Sequence, residues 1–178
     1  MDILSIKYLL FIIGVLIVYH FLSPNLRRYW ILATSLFFYG SLSVILLSAL
    51  IFSILFNFWI TFSHSKNKIW IAVIVNILIL FSFKIDDSSF LVPIGVSFFT
   101  FQGLSFVFDY SEKSKIQLLN FANYMAFFPQ LIAGPIESFH HLGPQLNSLK
   151  CIQKKNVFPG IFMILKGLVI KFVIANRC

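Results

Sequence analysis

Charge is scarce in this sequence. Asp, Glu, Lys and Arg make up 11% of its 178 residues, 59% are hydrophobic, and the mean hydropathy is +0.91. A soluble domain carries about 25% charged residues. A chain this apolar cannot cover itself with polar surface, so its expected partner is the lipid bilayer. Acidic groups are scarcest, 6 against 14 Lys and Arg, giving a net charge of +8. That sign would suit a nucleic acid, but the basic residues are scattered rather than gathered in one stripe. They stand at the ends of apolar runs, where they anchor helices and set orientation, so no nucleic-acid partner is expected. Cysteine is nearly missing: Cys151 and Cys178 make no metal or redox spacing and are read as free thiols. No Gly-rich phosphate loop, no Gly-x-Ser-x-Gly elbow and no metal-spaced His/Cys cluster occurs. No metal or bound cofactor is therefore expected.

What is present is a series of apolar runs, several reaching the roughly 17–25 residues that cross a bilayer core. The first, near Lys7 to Leu22, lacks a small-residue cleavage site and is followed by further apolar segments, so it reads as a membrane helix rather than a signal peptide. Ser23-Pro24-Asn25 ends it. After a loop bearing Arg27 and Arg28, the tract Tyr29–Phe62 is too long for one span. Gly40-Ser41 is the predicted fold-back point, which makes the first of the two helices rather short. Lys66 and Lys68 close the second, and a fourth helix spans Ile69 to Phe83. Lys84, Asp86 and Asp87 mark a return to water. Basic loops thus alternate with an uncharged turn and a net negative loop, the pattern the positive-inside rule gives for an outward N-terminus. There is no internal repeat.

Beyond Ser88 the character changes. Pro93, Gly95, Ser97, Thr100, Gln102, Gly103, Ser105 and Asp109 punctuate Leu91–Tyr110, and Pro129 and Gly134-Pro135 punctuate Phe121–Ile136. Breaks of this kind free backbone groups that lipid cannot satisfy, so they are tolerated only inside protein or beside a watery cavity. Either these two segments face a functional chamber or they are passive kinked helices. Residues 139–156, with His140, His141, Lys150, Lys154 and Lys155, are expected to form a cytoplasmic loop or interfacial helix. A last apolar segment, Val157–Ala175, carries Lys166 and Lys171, which either snorkel or face a cavity. His20 and His64 read as interfacial. His140 and His141 are adjacent and would point about 100° apart on a helix, so they do not readily share a ligand. Asp109 reads as a helix-end carboxylate.

The two irregular segments also carry a resemblance. Val92-Pro93-Ile94-Gly95-Val96-Ser97-Phe98-Phe99-Thr100-Phe101-Gln102 resembles the Pro-x-Gly-x-Ser-Phe-Phe-Thr-Phe signature of the membrane-bound O-acyltransferase family, in its bacterial alginate O-acetyltransferase-like branch. Phe127-Phe128-Pro129-Gln130-Leu131-Ile132-Ala133-Gly134-Pro135-Ile136 resembles that branch's Phe-Phe-Pro-x-Leu-x-Ala-Gly-Pro-Ile signature. Ser35–Gly40 and Gly167–Arg177 are weaker echoes in the right order. The resemblance implies an all-α polytopic transmembrane protein. Residues 1–178 would form one transmembrane domain, the N-terminal portion of a helical ring with irregular or re-entrant segments. It further implies passage of an acyl group, by analogy acetyl, from a cytoplasmic donor to an extracytoplasmic polysaccharide or cell-envelope polymer. Pro93, Gly95, Ser97, Phe98, Phe99, Thr100, Gln102, Pro129, Gln130, Gly134 and Pro135 become candidates for the chamber wall.

The departures are as informative. Family members carry an Arg-Arg-Trp-His-type run and a second, intramembrane His after the last motif seen here, and neither is in this sequence. His140 and His141 do not match those positions, and Asn176 stands where the family generally has Asp. Acyl transfer to a hydroxyl needs a positioned base, so the chain alone is expected to be inactive, with a C-terminal half or other O-acetylation proteins as partners. A half-ring is also expected to be unstable in isolation. A different class of reading is a non-enzymatic membrane scaffold or transport subunit, and a third is a decaying gene product. The residues identify neither the acyl donor nor the acceptor.

Overall fold

The computed structural model describes residues 6–85, 91–110, 116–131, 137–170 and 173, and these residues contain helices and no strand. Helix α1 covers Ile6–Phe21. Ser23 then caps α2, Pro24–Leu42, with Pro24 in the first turn, where its missing N–H has no helical acceptor to lose. Arg27 and Arg28 therefore lie inside α2 rather than in a loop, and α2 is 19 residues long rather than short.

The fold-back comes at Ser43, not at Gly40. Ser43 is extended (φ −165°, ψ 133°), its N–H donates to Tyr39 O, and its hydroxyl accepts from the Leu46 N–H of the next helix. Gly40 stays helical, and a Cβ there would already touch Leu47 at 3.3 Å. Ser41 keeps the last turn helical by donating to Phe38 O. Helix α3 is Val44–Thr61 and α4 is Lys68–Ile85, close to the expected spans.

Pro93 and Gly95 do not break the next segment, contrary to the irregular course expected for it. Helix α5 is continuous over Leu91–Asp109. Pro93 is its third residue, where no intrahelical N–H bond is required. The second punctuated segment does break. Helix α6, Leu118–Ala126, ends at Phe127, and one turn follows as α7, Phe128–Leu131. The basic stretch forms α8, Phe139–Asn147, and an extended link leads to α9, Lys154–Val169. Residues 86–90 and 132–136, with Lys171, Asn176, Arg177 and Cys178, lie outside the described residues, so the outer loop and the Gly134-Pro135 break predicted there do too.

Helices α2 to α5 alternate in direction, which gathers Arg27, Arg28, Lys66, Lys68 and Asp109 at one end. The Phe62 and Tyr110 rings meet there at 5.1 Å. Around α6 the core is aromatic: Phe106 and Phe121 are 4.4 Å apart, and Phe139 of α8 closes on Phe106 and Tyr124 at 5.0 and 5.2 Å. The exterior is apolar. Trp59 of α3 is 66% exposed, whereas Asn57 two residues earlier is 0% exposed. Apolar outside and amide inside is the distribution a lipid solvent produces. Among the described helices, Val44–Thr61 is long and apolar enough to cross a bilayer, and Ile6–Phe21 and Lys68–Phe83 are shorter apolar helices.

Candidate functional site

The break at Phe127 costs α6 its last hydrogen bonds. Tyr124 O would have accepted from residue 128 in a continuing helix, and Pro129 has no N–H to offer Met125 O. Gln102 of α5 repairs the first loss: its Nε2 donates to Tyr124 O at 2.9 Å and faces Gln130 Oε1 at 3.4 Å. Both Gln102 and Gln130 are buried. One side chain from the first motif segment thus satisfies the kinked backbone of the second. The amide explains how a broken helix is tolerated in an apolar setting.

The other candidates separate. Thr100 is buried and its hydroxyl turns onto its own helix, 2.8 Å from Val96 O and 3.0 Å from Ser97 O. Phe99 and Gly95 are buried, Ser97 and Phe98 are half-buried, and Pro93 lies in the first turn of α5. Pro129 is exposed. With Phe127 and Gln130 it lines one side of an open cleft of about 310 Å³, whose other side is Glu137, His141 and Gln145. Two sequence-predicted residues, Pro129 and Gln130, therefore share a cleft, and the α5 candidates are not in its lining. Gly134 and Pro135 lie outside the described residues.

In that cleft His141 Nδ1 pairs with the Glu137 carboxylate one turn earlier. His140 points elsewhere, its Nε2 3.3 Å from Asp109 O. Asp109 accepts from Ser105 at 3.2 Å. His20 and His64 are exposed, as is Lys166 on α9. Cys151 is a free, exposed thiol. Among the described residues no group of three or more His, Cys, Asp or Glu stands together to hold a metal.

Sequence reasoning passed over a second polar group, Asn57, Asn76, Ser53 and Thr61, all buried. Asn76 Nδ2 donates to Asn57 Oδ1 at 2.9 Å. Asn57 Nδ2 faces Asn76 Oδ1 at 3.3 Å and Ser53 O at 2.8 Å, and Thr61 donates to Asn57 O at 2.6 Å. Gly103 of α5 makes room for this pair: a Cβ there would lie 2.7 Å from Asn57 Nδ2. The available signal was an Asn within each of two largely apolar runs, a costly choice inside a membrane.

The chain resembles known enzymes over most of its length. It is 27% identical over 208 aligned positions to the peptidoglycan O-acetyltransferase of Helicobacter pylori, covering 87% of this chain and 40% of that protein. It is 27% identical over 162 positions to the probable alginate O-acetylase AlgI of Pseudomonas syringae pv. tomato, covering 73% of the chain and 31% of the relative. Over 60 positions, 32% of the chain, it is 42% identical to the probable alginate O-acetylase AlgI of Pseudomonas aeruginosa, 12% of whose length is covered. The chain is a homologue of these O-acetyltransferases. No protein-family profile and no solved structure matches it. The chain spans well under half the length of the relatives above. The two motif segments that carry the resemblance are the two that Gln102 joins.

Proposed function

We propose that this chain is the N-terminal portion of the transmembrane domain of an enzyme that O-acetylates an extracytoplasmic polysaccharide or cell-envelope polymer. The observation that carries the reading is the similarity to peptidoglycan and alginate O-acetyltransferases over 73–87% of the chain. The reaction requires a base to take the proton from an acceptor hydroxyl as its oxygen attacks the donor's acyl carbon, and the donor's acyl bond breaks with its electron pair leaving on the carrier, which takes up a proton. The family's histidine runs are not in this sequence, so these residues alone lack that base. A complementary segment, in a continuous or a separate chain, supplies it. The contribution of residues 1–178 is then architectural: Gly95, Ser97, Phe98, Phe99, Thr100, Gln102, Pro129 and Gln130 form part of the chamber wall, braced by the Gln102 bridge.

The same reading puts the protein in the bacterial inner membrane as a multi-pass protein with its N-terminus outside. It is supported by the collection of Arg27, Arg28, Lys66 and Lys68 at one end, the charge sign expected of a cytoplasmic end. The test is to inactivate the gene in its host and measure ester-linked acetate released by mild base from purified wall and exopolysaccharide. Loss of acetate from one polymer, restored by the intact gene, is the expected result. Unchanged acetate in every polymer overturns the reading, and loss of ester-linked D-alanine in its place would reassign the acyl group.

A further inference from the structure

One cation is left without an adequate partner. Arg27 is 4% exposed and its Nε is buried with nothing to bond. Its Nη2 donates to Cys151 Sγ at 2.7 Å, and its guanidinium lies over the Tyr19 ring, 5.1 Å from the centroid. A thiol and a ring face are weak company for a guanidinium taken out of water, and no carboxylate pairs with it among the described residues. Two more cations belong to residues next to it or to its partners. Arg28 is held by Asn147 Oδ1 at 3.0 Å, and Lys150 is exposed, with its carbonyl tied to Tyr19 OH at 2.9 Å.

Next to these cations an apolar groove of about 310 Å³ runs along α1, lined by Ile13, Leu16, Ile17, His20, Phe21 and Ile152. Ile152 follows Cys151, the residue that touches Arg27, so the groove opens at the cationic end. From Phe21 to Ile13 it extends about 12 Å along the helix.

We infer that this groove holds one anionic phospholipid, its phosphate at the accessible Arg28 and Lys150, drawn by the buried charge of Arg27 beneath them, and an acyl chain along α1. A phosphate is the group a guanidinium binds bidentately. Basic pockets at the cytoplasmic boundary are where anionic headgroups bind. Charge complementarity selects the occupant. A second copy of this chain, itself +8, would bring further cations to a cationic end. Free inorganic phosphate would leave the apolar lining unfilled. The inference rests on the membrane setting and not on acyl transfer, so its failure leaves the proposed enzyme untouched.

The test uses the full-length protein extracted from membranes in mild detergent, with bound lipid counted by native mass spectrometry after addition of phosphatidylglycerol or phosphatidylcholine. The wild type is expected to retain phosphatidylglycerol preferentially. Arg28→Gln and Lys150→Gln, at partly or fully exposed positions, are each expected to lower that retention about fivefold. Ile17→Trp, which fills the groove without touching a charge, is expected to lower it too. Equal retention of phosphatidylcholine, displacement of the lipid by inorganic phosphate, or retention unchanged in all three variants overturns the inference.

Discussion

Helices α3 and α9 look alike as apolar segments, yet they sit in opposite surroundings. In α3 the polar residues Ser53, Asn57 and Thr61 share one buried face, and α4 and α5 close over it. In α9 five consecutive apolar residues, Ile161 to Leu165, are all exposed, and none of its described residues is buried. Glycine marks the same contrast. A Cβ on Gly103 would collide with Asn57, whereas one on Gly160 or Gly167 would meet nothing within 4 Å. Between helices in lipid, apolar area gives no preference for protein over solvent. Amides and small residues choose the face, and the amide in α9, Asn156, lies exposed in the first turn, away from the apolar middle of the helix.

The contrast can be broken most forcefully at Phe121, which is fully buried among Phe58, Phe106 and Tyr124. Phe121→Ala is expected to cost about 3–5 kcal/mol, read as a lowered unfolding midpoint of the full-length protein in detergent. Gly103→Val overpacks the contact with Asn57 and is expected to cost about 1–3 kcal/mol. Gly160→Ala should be neutral or stabilising by up to about 1 kcal/mol, since helix propensity improves and no neighbour is struck. Asn57→Leu takes away the donor to Asn76 Oδ1, leaving Asn76 only its bond to Ala72 O, at about 1–3 kcal/mol. Adding Asn76→Leu should cost less than the sum of the two single changes, and a strictly additive cycle would mean that the two amides do not interact. Phe162→Ala on α9 should fall within about 0.5 kcal/mol of wild type. A loss there as large as at Phe121 would show that α9 is packed, and the comparison would fail.

Much of the helical layout was legible. Charge at the ends of apolar runs placed α1, α3 and α4 within a few residues, and Pro129 announced the break after α6. Three errors have physical causes. Arg27 and Arg28 were read as loop because charge was equated with water, but Pro24 starts α2 before them and Arg27 is buried against Tyr19 and Cys151. Gly40 was taken for the turn although its neighbours keep the helix, and Ser43, which caps both helices, makes the turn. Pro93 was counted as a breaker without regard to its place in the first turn of α5.

The candidate site was less legible than the fold. The motifs gave Gln102 and Gln130 as residues of interest. That Gln102 would cap Tyr124 O depends on how α5 lies against α6, which no local pattern encodes. Asn57 and Asn76 were hidden by averaging over the apolar runs that contain them.

The Gln102 amide has a consequence for motion. A helix interrupted at Phe127 would ordinarily be a swivel, free to change its angle at little cost. Here any change of angle would strip Tyr124 O of its donor in a medium that cannot replace it, so the bend is set rather than articulated. Movement of the α7 wall of the cleft, which carries Pro129 and Gln130, must then carry α5 with it, and the two motif segments travel as one body.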